Sequence, residues 1–459
     1  MKNYDLCVIG AGSGGLVAAT TGNRLGLKTV LLEKDKIGGE CTHSGCIPSK
    51  ALIAAAKAYQ TSKDAPRYGL PSYAPTSPLD FAKVMEHVDS VVQRVYANET
   101  PAVFENMGID VVVDSSGAKF IDSQTVQIGG EQITAKYFVI CTGSSPRPYC
   151  PDGGDPRQFL HNENFWDLRQ QPASITFIGG GVISVELGQA MRRLGTAVNI
   201  IDHNPRILKA VDSDVAEILS NHLKEEGIKL YAGTEVLNCR SEPSQTTLTI
   251  KTPTGTAELT SESVFIAVGR VPNLGGLDLA KAGVDTTDRG ITTDKFLRTS
   301  ASHIYACGDV TSPAKFTHAA SYQGGVCIAN ILKENSKESE LRAFPWAIFT
   351  EPEIAHVGIS EAQAIKESIP HTVLKVNATL DRFVAEGNTT GLLKVIISAD
   401  DLVIGADAIG PHAGEWIHPL ALAARQQLPL QSFIDTVFAY PTYSEIVKTA
   451  FVRHLRSRT

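Results

Sequence analysis

The stretch Asp5-Leu6-Cys7-Val8-Ile9-Gly10-Ala11-Gly12-Ser13-Gly14-Gly15 decides the fold. An apolar strand runs into a glycine-rich turn, a helical stretch follows, and Lys28 to Leu32 reads as a second strand ending at Glu33. The pattern returns further on. Ser174 to Ile178 meets Gly179-Gly180-Gly181-Val182-Ile183-Ser184, a helix follows, and Val198 to Ile201 ends at Asp202. From Gly10 to Glu33 and from Gly179 to Asp202 the offset is 23 residues. A glycine-rich turn lets the backbone approach a pyrophosphate, and the helix that follows aims free N–H groups and its positive end at the phosphates. The downstream acid accepts from ribose hydroxyls. One such hexapeptide is a weak signal, but strand, turn, helix and acid in order and found twice make a strong one. Two nucleotide-binding α/β units are predicted. Ser184 stands where a glycine or alanine usually packs, so the second turn is expected to be slightly relaxed.

A chain of 459 residues has room for about three domains. Its 43% hydrophobic and 20% charged content excludes disorder, collagen and a coiled-coil rod. With 42 basic and 49 acidic residues the net charge is −7, which offers no electrostatic footprint for nucleic acid or an anionic membrane. The first apolar strand begins too close to Met1 for an export signal, and no apolar run approaches the roughly 20 residues of a membrane span. A cytoplasmic location is expected. Cys7, Cys141, Cys150, Cys239, Cys307 and Cys327 lack metal-ligand or framework spacing and read as scattered thiols of a reducing compartment. Between the two copies, Pro71 to Pro78 reads as a Pro/Ser-rich loop. Phe81 to Met107 reads as one helix with Val84, Val88, Val91, Val95 and Phe104 facing a core. Pro146 to Pro156 reads as a hinge. A boundary near Leu341 precedes a mixed tail with strands such as Leu392 to Ile397 and a final helix from Tyr443.

The remaining cysteines form a close pair. In GGECTHSGCIPSKAL, Gly38 to Leu52, Cys41 and Cys46 precede an alanine-rich helix over Ala51 to Ala58, with Pro48 and Lys50 between. One turn can bring the two sulfurs together. A reversible disulfide would supply a two-electron store beside a dinucleotide site, with Lys50 and the helix start favouring the thiolate. Structural zinc is a competing reading, although no second pair completes four ligands; bystander thiols are another.

With these residues in view, the sequence resembles the class I pyridine nucleotide-disulfide oxidoreductase family over essentially its whole length. The resemblance rests on the two turns, on GGECTHSGCIPSK, on Ser115 to Phe120 (SSGAKF) and on Cys141 to Pro148 (CTGSSPRP). It rests also on Ala267 to Asn273 (AVGRVPN), Tyr305 to Val310 (YACGDV) and Phe349 to Ala364 (FTEPEIAHVGISEAQA). It implies an α/β chain with two Rossmann-type domains, for FAD and NAD(P), and an α+β C-terminal dimerisation domain in a homodimer. The FAD domain would take residues 1–150 and 271–341, the NAD(P) domain 151–270 and the interface domain 342–459. By the same resemblance Gly10, Gly12, Gly15, Glu33, Gly117, Ala118, Thr142, Gly143 and Asp309 would hold FAD. Gly179, Gly181, Asp202 and Gly269 would hold NAD(P). Lys50 would sit beside the flavin and pair with Glu186. Cys41 would be the thiol that meets the acceptor and Cys46 the one that faces the flavin. A carboxylate at Asp202 repels a 2′-phosphate, which favours NADH over NADPH, with Arg206 close enough to oppose that preference.

The family pattern breaks at Tyr440-Pro441-Thr442-Tyr443-Ser444-Glu445. Disulfide reductases of this family place a histidine where Tyr440 stands, as acid and base from the second subunit together with the residue matching Glu445. A phenol with a pKa near 10 is a poor proton acceptor at neutral pH. His412 or His418 could substitute for it. The expected reaction passes electrons from NAD(P)H through FAD and the Cys41–Cys46 dithiol to a small acceptor. Hg(II), another thiophilic ion or a quinone-like sink is expected first, since a soft metal needs no protonated leaving group. A small disulfide such as lipoamide is the alternative, followed by transhydrogenation and a redox-sensing flavoprotein without turnover. No resident metal is expected.

Overall fold

The computed structural model describes residues 2–71, 78–311 and 314–457. The loop expected between Pro71 and Pro78 lies outside the described residues except at its ends. The strand Lys2–Ile9 is central to the first sheet, pairing in parallel with Thr29–Glu33 on one side and Glu131–Ile140 on the other. Asp110–Val113 extends the parallel set beyond Thr29–Glu33, and Thr125–Ile128 and Lys119–Asp122 extend the other flank as an antiparallel ribbon. Ile304–Ala306 returns late in the chain to pair in parallel with Glu131–Ile140. Near-continuous apolar runs such as Leu6 to Ile9 suit strands covered on both faces. Leu6, Cys7 and Val8 are fully buried.

A second parallel sheet runs in the order Lys229–Ala232, Ala197–Asp202, Ser174–Ile178, Ser263–Ile266, with an antiparallel meander over 235–261 beside it. Both glycine-rich turns therefore sit at the carboxyl ends of parallel strands, where open α/β sheets bind ligands. A short antiparallel ribbon of Ser144–Pro146 and Arg270–Pro272 ties the two units together. The C-terminal unit is an antiparallel sheet ordered Pro345–Ile348, Glu353–Gly358, Val403–Gly410, Leu392–Ser398, His371–Asn377, backed by helices that include His418–Gln426 and Glu445–Arg456.

Several local expectations are corrected. The single helix expected over Phe81 to Met107 is two, Phe81–Tyr96 and Pro101–Asn106, because Pro101 can open a helix but not continue one. Its core face is Phe81, Met85, Val88 and Val92, with Val84, Val91 and Val95 only half-buried. The alanine-rich helix begins at Cys46 and runs to Asp64, and the last helix begins at Glu445.

A buried ion cluster joins the second unit to the C-terminal sheet. Lys394, 1% exposed, reaches Asp212 at 2.8 Å and Asp214 at 3.2 Å and also pairs with Glu361. Breaking a buried pair from one side leaves uncompensated charge, at a cost of about 3–5 kcal/mol. Lys394→Met is therefore expected to lower the urea midpoint by that stability, with an unchanged midpoint contradicting the role given to the cluster.

Candidate functional site

Gly10 and Gly179 open the two turns in the same way. Both have positive φ, 97° and 105°, and a Cβ would stand 2.5 Å from the Cys141 carbonyl oxygen and 2.3 Å from that of Ala267. Only glycine fits there. At Gly15 a Cβ would stand 1.9 Å from the Gly10 carbonyl oxygen, so that residue keeps helix and turn in contact. A Cβ at Gly12 or Gly181 would meet nothing within 4 Å. These open positions are where a bound pyrophosphate can approach the backbone. Ser184 is fully buried, and its hydroxyl donates to the Gly179 carbonyl. The side chain is accommodated by locking the turn rather than loosening it.

The two downstream acids brace the turns. Glu33 accepts from Ala11 N–H at 2.7 Å and from the Lys34 and Asp35 amides at 2.8 and 2.9 Å. Asp202 accepts from Gly180 N–H at 2.9 Å and from the Asn204 backbone and side-chain amides at 2.8 Å each. A carboxylate has about four lone-pair sites, so both retain acceptor capacity. Arg206 spends its guanidinium on the backbone carbonyls of Leu208, Lys209 and Val211.

A cavity of about 1900 Å³ runs between the units and is larger than the roughly 300–1,000 Å³ that holds an ordinary small ligand. It is lined by Gly10, Gly12, Glu33, Gly117, Ala118, Thr142, Gly143 and Asp309 from the first unit, by Gly181, Glu186 and Gly269 from the second, and by Cys41, Cys46 and Lys50. Gly15, Gly179 and Asp202 do not line it. Tyr440 and Glu445 do not line it: Tyr440 is 71% exposed, donating to Asp381 at 2.9 Å, and Glu445 accepts from Thr442 N–H at 3.0 Å. Two open glycine turns and a cavity of this size fit two dinucleotides.

The thiols face each other across the break between the short helix Gly39–His43 and the helix Cys46–Asp64. Cys46 is the first residue of the longer helix, where unpaired amides and the positive helix end favour an anion. Its sulfur lies 3.3 Å from the Thr317 hydroxyl. The hydrogen bond from Cys41 is the main cause that lowers Cys46 from 9.0 to about 6; burial opposes it, while Thr317 and Lys50 assist. The same hydrogen bond, with burial, pushes Cys41 well up, so one proton stays on Cys41 and the charge sits on Cys46.

Lys50 bonds Glu186 at 2.8 Å and lies over the Phe349 ring at 4.4 Å. Glu186, almost fully buried, also accepts from Phe349 N–H at 2.8 Å. Sequence reading missed Phe349 and Thr317 as site residues. Phe349 opens a motif that the sequence displays, whereas nothing near Thr317 signals its approach to Cys46. Reading also missed Glu40, which precedes Cys41 and pairs with Arg270; Arg270 Nε in turn donates to Ser144 at 2.8 Å, whose hydroxyl donates to Asp309 at 2.7 Å. His418 lines the cavity, while His412 packs beside the Tyr443 ring instead.

Comparisons with known proteins show the family. Residues 4–324 match the pyridine nucleotide-disulphide oxidoreductase family, and residues 344–451 match its dimerisation domain. A mercuric reductase from Staphylococcus aureus is 32% identical over 98% of this chain and 82% of its own length. A dihydrolipoyl dehydrogenase from Chlamydia trachomatis is 33% identical over 96% of this chain and 95% of its own length. The crystal structure of LpdA from Mycobacterium tuberculosis, 24% identical, shares the fold with a TM-score of 0.89 over 99% of this chain and 100% of that one. The chain belongs to the pyridine nucleotide-disulphide oxidoreductase family, and is an FAD-dependent NAD(P)H oxidoreductase that works through a disulfide.

Because Cys46 is lowered to about 6, its thiolate in the reduced protein forms as pH rises through that value and its stabilisation is lost as pH falls through it. The rate at which iodoacetamide alkylates the reduced pair should follow a midpoint near 6, and Thr317→Val should raise that midpoint. A midpoint near an ordinary thiol's would contradict the assignment.

Proposed function

We propose that this family member reduces a low-molecular-weight disulfide with electrons from NADH, using Cys41 and Cys46 as the exchanging pair. The observation that carries the proposal is the placement of both thiols in one cavity with the two glycine-rich turns, charge on Cys46 and proton on Cys41. FAD, when bound, carries the electron pair from nicotinamide to the disulfide. Gly10, Gly12, Gly15, Glu33, Gly117, Ala118, Thr142, Gly143 and Asp309 would hold it, within the domain assigned to residues 1–150 and 271–341. Gly179, Gly181, Asp202 and Gly269, within residues 151–270, would hold the nicotinamide dinucleotide. Residues 342–459 would form the homodimer interface and bring Tyr440 and Glu445 of one subunit to the thiols of the other.

Two electrons cleave the Cys41–Cys46 bond, leaving a thiolate on Cys46 and, with one proton, a thiol on Cys41. Deprotonated Cys41 attacks one sulfur of the acceptor, whose S–S bond breaks and releases the first thiolate. Cys46 then attacks Cys41, re-forming the internal disulfide and releasing the second. The net reaction consumes NADH, one proton and one disulfide and yields NAD⁺ and two thiols.

The small-disulfide reading is placed ahead of a metal acceptor because the dihydrolipoyl dehydrogenase matches over nearly its whole length, whereas the mercuric reductase extends further beyond the match. A second reading, reduction of a thiophilic cation such as Hg(II), is favoured by Tyr440. The hydrogen bond to Asp381 raises this phenol further, so it holds its proton and cannot take one from Cys41 at neutral pH. A soft cation displaces the thiol proton by itself.

A turnover panel with lipoamide, glutathione disulfide, a quinone and Hg(II) separates these readings. Disulfide reduction should rise with pH through the neutral range, because solvent must take the Cys41 proton. Tyr440→His should raise the neutral rate about 10²–10⁴-fold and flatten that profile. Inert disulfides with brisk Hg(II) turnover would select the second reading, and NADPH-to-NAD⁺ exchange surviving in Cys41→Ser would point to transhydrogenation.

The preference for NADH is supported by Asp202 and by Arg206, whose donors are already engaged. A charge-assisted hydrogen bond to the ribose is worth about 1.5–3 kcal/mol, so Asp202→Ala should lower kcat/KM for NADH about 10–100-fold without equal loss for NADPH. Equal losses with both cofactors would contradict this.

A further inference from the structure

Cys141 and Cys307 look unrelated in the sequence, but the fold makes them neighbours. Glu131–Ile140 and Ile304–Ala306 run parallel with Ile140 opposite Ala306, and each strand is followed at once by a cysteine. Cys307 N–H donates to the Ile140 carbonyl at 3.1 Å, which extends the register by one step. Adjacent strands lie about 4.8 Å apart. That separation is inside the roughly 4.4–6.8 Å between Cα atoms that a disulfide spans. The two sulfurs are 3.3 Å apart and therefore point at each other. Both residues border the dinucleotide cavity and are buried, 8% and 1% exposed, so only a reagent as small as hydrogen peroxide is expected to reach them.

We propose that Cys141 and Cys307 are a second reversible dithiol–disulfide pair, a site of oxidation by hydrogen peroxide beneath the first glycine-rich turn. The two sulfurs are electrostatically unequal. Hydrogen bonds from Cys141 and then Cys327 hold Cys307 well below an ordinary thiol, against the cost of burial. The bond to Cys307, together with burial, holds Cys141 well above it. Peroxide chemistry needs a thiolate beside a neutral thiol. The Cys307 thiolate attacks one peroxide oxygen, the O–O bond breaks, and the departing hydroxide takes a proton to become water, leaving a sulfenic acid. Cys141 then attacks the Cys307 sulfur, the S–O bond breaks, and the hydroxyl leaves with the Cys141 proton as a second water. Two electrons pass from the sulfurs to peroxide. An added dithiol reverses the bond by exchange. Among the described residues the surrounding thiols form no metal-binding group, so oxidation rather than metal capture is the chemistry this arrangement supports.

The test treats native holoenzyme with hydrogen peroxide, blocks free thiols with an alkylating reagent, and maps the non-reduced digest by tandem mass spectrometry. The expected result is loss of alkylation at both Cys141 and Cys307, with a cross-linked peptide pair lighter by the two hydrogens removed. Dithiothreitol should restore alkylation at both. In Cys141→Ser, Cys307 should instead progress to the sulfinic acid. Should that variant fail to fold, the wild-type map stands alone as the test. Retention of both thiols in the wild type, or a bridge from Cys307 to Cys327, would overturn the proposal.

Discussion

Three parts of the chain meet at one ion pair between half-buried Lys50 and buried Glu186. Lys50 comes from the helix that begins at Cys46, Glu186 from the helix behind the second glycine-rich turn, and Phe349 from the approach to the C-terminal sheet. Charge on Glu186 is tolerable in its buried setting because both oxygens are used, one by Lys50 and one by the Phe349 amide. The same helix grips the next residues of that approach. Gln189 exchanges two hydrogen bonds with the backbone of Glu351, and Arg193 pairs with the Glu351 side chain. Because contacts recur every three or four residues along one helix face, the segment over 349–351 is held in register with the cavity.

That rigidity gives the electrostatics of the thiols their meaning. A helix start, the Thr317 hydroxyl and Lys50 favour charge on Cys46, while Cys41 keeps the proton that any disulfide acceptor must first see removed. On the proposed reading, Tyr440 of the partner subunit stands where a histidine would receive that proton. On that reading the tyrosine would bear on which acceptors are fast more than on whether the dithiol forms.

Much of this was legible in the sequence because backbone chemistry leaves residue signatures. Only glycine fits at Gly10 and Gly179, so the turns announce themselves, and the strands and acids around them fall at fixed offsets. The pair Cys41 and Cys46 was readable for the same reason, since both lie within one local segment. What escaped was long-range. Thr317 is 271 residues from Cys46, and Cys141 is 166 from Cys307, so no spacing rule could join them. The six cysteines beyond the close pair, read as scattered, include two that parallel strands deliver side by side. The break at Pro101 was visible as a residue but was passed over, because Phe104 beyond it was read as continuing the face of Val84 to Val95.

The central claim is that reducing equivalents from the nicotinamide end at Cys41 and Cys46. It is tested most directly by anaerobic addition of one equivalent of NADH to oxidised holoenzyme, followed by alkylation and peptide mapping. The account predicts that Cys41 and Cys46 become alkylated together, in proportion to the NADH consumed. Consumption of NADH with both sulfurs still bonded to each other would contradict it.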